Sequence, residues 1–158
     1  MKYLFTFLLV CISATVPGQK VQLLELDVLE NRIANGKDTF YIINYWATWC
    51  APCIKEIPYF NKFQKAYLNK PVKVLLISLD FLSQYQKAVV PFVRKQKLET
   101  EVFLLNEKDQ QQYIDRISTD WSGALPATAF ICQHKNIKRF FEQEFTYDEL
   151  VQTFNSLQ

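Results

Sequence analysis

The chain is poor in the residues that loosen or interrupt a fold. In 158 residues it has three glycines, six prolines and a single histidine. It contains no low-complexity tract and no internal repeat, which sets aside linker-like and repeat architectures. The formal net charge is only +2 and no block of like charge occurs, so nothing points to nucleic acid as a partner. Basic groups such as Arg94-Lys95-Gln96-Lys97 and Lys135 with Lys138-Arg139 fit solvated helix ends and turns. A second CxxC is missing, as is an HxxxH. With only Cys132, His134 and Cys11 left over, a structural zinc site would lack its second ligand pair, and no metal is expected. What the chain does have is apolar mass. At 49% hydrophobic and 15% aromatic it suits one domain with a sizeable core.

The N-terminus differs from the rest. Lys2 precedes a continuous apolar stretch from Tyr3 to Ile12, and small or turn-forming residues follow from Ser13 to Gly18. This is the layout of a secretory signal peptide over residues 1–18, with Val16 and Gly18 at a small-residue cleavage site and a mature domain over 19–158. Ala14 offers another cut, and an uncleaved anchor is the alternative, although the apolar run is short for a permanent membrane span. Cys11 would suit lipid attachment, but Val10 stands where a small residue is wanted. Export would place the chain in a periplasmic or other extracytoplasmic compartment, where disulfides persist and a dithiol must be served by redox partners.

Within the mature segment, Trp49-Cys50-Ala51-Pro52-Cys53 follows the apolar run Phe40 to Trp46. A strand entering a helix at Cys50 places that sulfur at a helix N-terminus, where free N–H groups and the positive dipole end stabilise a thiolate. Cys53, at i+3, shares the face and can close a short disulfide with Cys50. That is the arrangement of a dithiol/disulfide exchanger. Glu56, at i+3 from Cys53, brings a carboxylate to the Cys53 side; the plain alternative is an exposed helix residue beside Lys55. Trp46 suits the core beneath the motif helix, and Trp49 suits either packing or a substrate-contact surface. Cys132, in an apolar strand, fits a small buried hydrophobe, and His134 fits an exposed turn.

Periodicity organises the remainder. Val21–Ile33 predicts a short strand or a helix at the domain edge, ended by the turn signal at 34–38. Strands are predicted over 39–46, 72–80, 102–105, 127–132 and 137–141. Helices are predicted over 50–68, with Pro58 as a kink, then 83–95 and 108–117. Thr146 and Glu149 form a capping box for a last helix whose apolar face carries Leu150, Val151, Phe154 and Leu157. Strands alternating with helices and closed by a hairpin and helix predict an α/β fold, a central mixed sheet flanked by helices.

Asn44-Tyr45-Trp46-Ala47-Thr48-Trp49-Cys50-Ala51-Pro52-Cys53, with Gly123-Ala124-Leu125-Pro126-Ala127-Thr128 entering a strand, resembles the thioredoxin superfamily. Within it, the chain is similar to exported TlpA/ResA-like thiol-disulfide oxidoreductases over nearly all of the mature segment. The resemblance implies a thioredoxin-like fold with an extra βα insertion before the proline strand, read at 102–117. It also implies a cis Leu125–Pro126 bond facing the disulfide, with Trp49, Pro52, Leu125 and Pro126 at the substrate, and a redox role for Glu56. Cytoplasmic thioredoxin carries a buried Asp where this chain has Asn44, which cannot titrate.

The expected activity is thiol-disulfide exchange. Cys50 attacks a protein disulfide and Cys53 resolves the mixed disulfide, with no cofactor. A membrane-bound electron donor, a monomeric state and a reducing direction go with that expectation, and cytochrome c maturation is among the processes it suits. Two alternatives share the fold. A peroxiredoxin-like peroxidase would resemble Pro-x-x-x-Thr-x-x-Cys, yet Ile43 and Ala47 stand at those positions. A copper metallochaperone or thiol-binding module would resemble CxxxC with a downstream His, whereas the spacing here is CxxC.

Overall fold

Strand β2 (Phe40–Trp46) organises the molecule: all seven of its residues are buried. Such a run of aromatic and β-branched residues suits a strand covered on both faces. Side chains alternate along it. Phe40, Ile42 and Trp46 join one apolar cluster, while Tyr41, Ile43 and Tyr45 join the other. The structure, a computed structural model, describes residues 20–36, 38–107 and 109–158. The expected leader at 1–18, with Cys11, lies outside the described residues.

Strand β3 (Val72–Ser78) runs parallel to β2 on one side, and β5 (Ala127–Cys132) runs antiparallel on the other. On the parallel side follow β4 (Glu101–Leu105) and then β1 (Gln22–Leu24), and β6 (Ile137–Phe141) closes the antiparallel side. The sheet is therefore mixed, in the order β1-β4-β3-β2-β5-β6. Both outer strands are modest edges. β1 is three residues long, and β6 exposes Lys138 and Arg139.

Among the described residues, five α-helices cover the two faces. From α2 (Ala51–Ala66), α3 (Val90–Gln96) and α5 (Tyr147–Ser156), the residues Ile57, Phe60, Phe63, Val93, Leu150 and Phe154 fill the first cluster. From α1 (Leu26–Asn35) and α4 (Gln110–Ile117), Leu26, Leu29, Ile33, Ile114 and Ile117 fill the second. The alternation of strands and helices from β2 to α5 is the predicted one. The segment before it holds both a strand and a helix, where one or the other was expected. Helix α2 continues past Pro58 as a single element.

The expected single helix over 83–95 is broken up. A 3₁₀ turn at Leu82–Gln84 leads into a wide π turn at Tyr85–Val89 before regular α3 begins. Pro91 has no N–H for the carbonyl one turn back, and its ring crowds that carbonyl, so the preceding turn is irregular.

Polar side chains stitch these layers together. β4 pairs with β3 only from Leu75 onward, so Gln64 of α2 takes the place of a strand neighbour and accepts the Val74 N–H at 2.7 Å. Asn61 Oδ1 accepts from Glu99 N, Thr100 N and Thr100 Oγ1, fixing the entry to β4 beneath α2. Arg32 forks onto Glu101 with two 2.8 Å bonds, tying α1 to β4; this ion pair holds the Glu101 carboxyl below its ordinary range. Two glycines are fixed by geometry. Gly123 has φ +91°, and a Cβ on Gly36 would lie 2.1 Å from the Tyr41 hydroxyl.

The last helix closes the core through aromatic contacts. The predicted capping box is present, Thr146 Oγ1 accepting the Glu149 N–H while Glu149 accepts the Thr146 N–H. Phe154 meets Phe40, Phe63 and Tyr67 edge-on, with ring centroids 4.9, 5.3 and 5.0 Å away. Phe154→Ala should cost about 3–5 kcal/mol of unfolding free energy in denaturant titration. A loss under about 1 kcal/mol would mean that α5 does not hold the core together.

Candidate active site

The turn between β2 and α2 builds the redox centre. Trp46 ends the strand, and Cys50 N donates to Ala47 O at 3.1 Å. Thr48 inside the turn is held by Asp80 at the far end of β3: Thr48 N and Oγ1 both donate to this carboxylate, at 2.9 and 2.6 Å. Ser78 Oγ donates to the same carboxylate at 2.7 Å. Asp80, 4% exposed, is thus a buried anchor under the motif. It stood at the end of a predicted strand with no role, because a contact between residues 32 positions apart leaves no periodic trace.

Cys50 is the N-cap of α2, and its sulfur accepts the Cys53 N–H at 3.3 Å. Pro52 lies in the first turn, where a missing N–H removes no helix bond, and no acidic residue stands there to oppose a thiolate. Cys50 and Cys53 are joined as a disulfide with Cα atoms 5.3 Å apart. Cys50 is 5% exposed and Cys53 fully buried, so solvent reaches the pair only at the first cysteine, and only narrowly. Ala51 and Pro52 beside it are exposed.

Glu56 is buried rather than solvated. It is fully enclosed, and its neighbour Lys55 pairs with Glu144 instead, at 2.6 Å. One carboxylate oxygen accepts from Asn44 Nδ2 and the other from Phe145 N, both at 2.7 Å. Burial pushes the Glu56 carboxyl up to about 7, since it penalises the charged form more than these two hydrogen bonds favour it. Asn44 also donates to Thr128 Oγ1 at 3.1 Å, so the residue that cannot titrate is the partner of the one that does.

The remaining expected site residues gather at the same end of the sheet. Ala127 of β5 registers with Tyr45 of β2, which brings Leu125–Pro126 beside the strand end that feeds Cys50. The Leu125–Pro126 bond is cis. Leu125 is half-buried and packs on both clusters, and Pro126 is buried. Ahead of them, Trp121 donates its Nε1–H to Ala124 O at 2.8 Å. Trp46 is fully buried against Phe92, as expected of core.

Trp49, by contrast, is 68% exposed. It lines a groove of about 510 Å³ with Leu79, Asp80, Phe81, Leu82, Leu105, Glu107 and Tyr113. Phe81, 80% exposed, was not anticipated there. Elsewhere, Cys132 is a buried free thiol whose sulfur lies 3.3 Å from His134 Nδ1, so this exposed histidine is not merely solvated. Among the described residues, no three His, Cys, Asp or Glu side chains cluster as a metal site.

Comparison with known proteins agrees with this geometry. A family model described as the AhpC/TSA family matches residues 14–140. The chain belongs to this family. It is 31% identical over 139 residues to thiol-disulfide oxidoreductase ResA of Bacillus thuringiensis (strain Al Hakam), covering 88% of this chain and 74% of that protein. ResA of Geobacillus thermodenitrificans is 24% identical over 148 residues, covering 94% and 79% of the two chains. Among solved structures, a thioredoxin-related protein from Neisseria meningitidis serogroup B superposes with a TM-score of 0.66 at 22% identity, over 77% of this chain and 86% of that one. StoA from Bacillus subtilis does so with a TM-score of 0.57 at 22% identity, over 73% and 82%. The family member described here therefore has a thioredoxin-like fold.

The raised Glu56 carboxyl has a definite sign in stability. A folded-state value of about 7 against an ordinary 4.5 means that the native state holds the proton more tightly than the unfolded chain. The contribution is fully present below pH 4.5 and is lost as pH rises through 7. Between pH 4 and 8 the wild type should thus lose about 3 kcal/mol relative to Glu56→Gln, measured by urea unfolding of both proteins. Parallel curves for the two would show that Glu56 ionises in the fold as it does in water.

Proposed function

We propose that this thiol-disulfide oxidoreductase acts as an extracytoplasmic reductant of protein disulfides. The observation that carries the proposal is the Cys50–Cys53 disulfide at the N-terminus of α2, its first sulfur already accepting the Cys53 N–H. In the reduced protein that N–H and the helix dipole favour a Cys50 thiolate. The thiolate attacks one sulfur of a substrate disulfide, and the other substrate sulfur leaves as a thiolate. Cys53 then gives up its proton and attacks the Cys50 sulfur. The second substrate thiolate departs, and the disulfide seen here is formed.

The other site residues fall into place around these steps. Glu56, one helical turn from Cys53 and titrating near neutrality, receives the Cys53 proton. Trp49, Pro52, Leu125 and Pro126 form the surface on which the substrate chain rests. The signal-like leader at 1–18 supports export, and a membrane-bound donor then re-reduces the disulfide. No helix among the described residues is long and apolar enough to cross a membrane. The protein works as a monomer on protein substrates, with cytochrome c maturation among the processes such a reductant serves.

The order of attack is tested by trapping. Cys53→Ala should accumulate mixed disulfides through Cys50, resolved by non-reducing electrophoresis, whereas Cys50→Ala should accumulate none. Equal trapping by both variants, or by neither, would reverse or remove the assigned roles. The direction is tested by a glutathione redox titration. The Cys50/Cys53 couple should lie nearer about −270 mV, the value for thioredoxin, than about −120 mV, the value for DsbA. Ala51-Pro52 holds no His to stabilise a strongly oxidising thiolate. A potential near the oxidising end would make the protein a disulfide donor.

A further inference from the structure

Asn44 presents an unmatched group at the heart of the molecule. It is fully buried, its Nδ2 donates both to Glu56 Oε1 at 2.7 Å and to Thr128 Oγ1 at 3.1 Å, and its Oδ1 has no partner. A buried amide oxygen without a hydrogen bond costs free energy, so an unmatched one calls for a reason. The reason lies in what faces Glu56. Both carboxylate oxygens meet N–H donors, from Asn44 and from the Phe145 main chain. That arrangement suits only the ionised carboxylate, because a carboxylic acid has an O–H of its own that needs an acceptor. The Phe145 N–H can never supply one. Asn44 can, by turning its amide over so that Oδ1 faces Glu56.

We propose that Asn44 is a positioning residue whose side-chain amide has two orientations, N–H toward the Glu56 carboxylate and C=O toward the Glu56 acid. Turning the amide also reverses the bond to Thr128, whose hydroxyl accepts in the present orientation and donates in the other. Thr128 lies on β5 two residues past Pro126, so a proton arriving on Glu56 changes a bond on the strand that directly follows Leu125–Pro126 of the proposed substrate surface. The inference rests on the proposed role of Glu56 as receiver of the Cys53 proton. That transfer is balanced: the Cys53 thiol becomes a thiolate, the Glu56 carboxylate becomes an acid, and the new O–H is donated to Asn44 Oδ1.

The surroundings of Glu56 leave Asn44 in this position. From β2 it faces Asn44, which is itself bonded to Thr128 of β5, and both are neutral. From the segment before α5 it meets the Phe145 main chain, with Glu144 acting on it by charge while paired to Lys55. On its own helix, Cys53 is held in the disulfide.

The experiment is NMR on the oxidised full chain between pH 5 and 9, following the Glu56 side-chain carboxyl and the Asn44 side-chain amide together. The amide hydrogens of Asn44 should lie close to Thr128 at high pH and lose that proximity at low pH, with the midpoint shared by the Glu56 carboxyl. In Glu56→Gln the Asn44 amide should show no transition over this range. If Glu56 titrates while the Asn44 amide stays in one orientation, the proposal falls and the proton-receiving role of Glu56 stands. If Glu56 does not titrate at all, both fall. Asn44→Leu, which keeps the size but removes donor and acceptor, takes a hydrogen bond from both forms of Glu56, so the Glu56 ionisation constant should change by well under the roughly tenfold fall expected from losing a donor to the charged form alone. A tenfold or greater fall in the Glu56 ionisation constant in a folded Asn44→Leu protein would show that Asn44 serves the carboxylate alone, and would overturn the proposal.

Discussion

A carboxylate shut away from water is what the rest of the site leans on. Glu56 leaves α2, takes a hydrogen bond from the middle of β2 through Asn44, and takes another from the main chain just before α5. Three segments distant in sequence thus meet at one group. Its burial works against its charge more strongly than the two donors work for it, and this excess lifts the carboxyl to about 7. A well-solvated carboxylate on the same helix would be ionised around neutral pH.

Asp80 is the counterpart on the other side of the motif. Where Glu56 has two donors, Asp80 gathers three, from the Thr48 main chain and the hydroxyls of Thr48 and Ser78. It fixes the loop that delivers Cys50, while Glu56 fixes the helix that carries Cys53. Two buried acids therefore divide the work, one holding the approach to the disulfide and the other standing beneath it. The apolar clusters on the two faces of β2 keep water from both. This is why the sheet had to be covered on both sides before such groups could have useful properties.

Most of the fold was visible in the pattern of the chain, since buried strands rich in aromatic and β-branched residues and a capping box at Thr146 carry local signals. Cys50 and Cys53 were equally plain, because the chemistry and the helix start coincide in five consecutive residues. Residues 82–89 escaped, because Pro91 acts on the turn before it rather than at its own position. Asp80 escaped because its role comes from the docking of the motif loop against a strand end, and Phe81 because its exposure beside Trp49 shows only once those segments meet. Asn44 was half visible. Its replacement of a titrating residue was noticed, but strand alternation also places it on the face of Ile42 and Trp46, toward α2, where Glu56 waits. A long-range polar pair of this kind needs both elements docked before either residue declares its partner.

A polypeptide that handles other polypeptides faces a hazard of its own making, because a partly unfolded client can pair with any free strand. The outer strands answer it. On one side β1 offers three residues, too few to template an added strand, and on the other β6 displays Lys138 and Arg139. An incoming chain is thereby denied main-chain ladders at the margins of the sheet. The exposed rings of Trp49 and Phe81 lie instead beside the groove next to the disulfide. Contact by sheet extension is thereby closed off at both margins, and the exposed aromatic surface is confined to the end of the sheet where β2 runs into the motif.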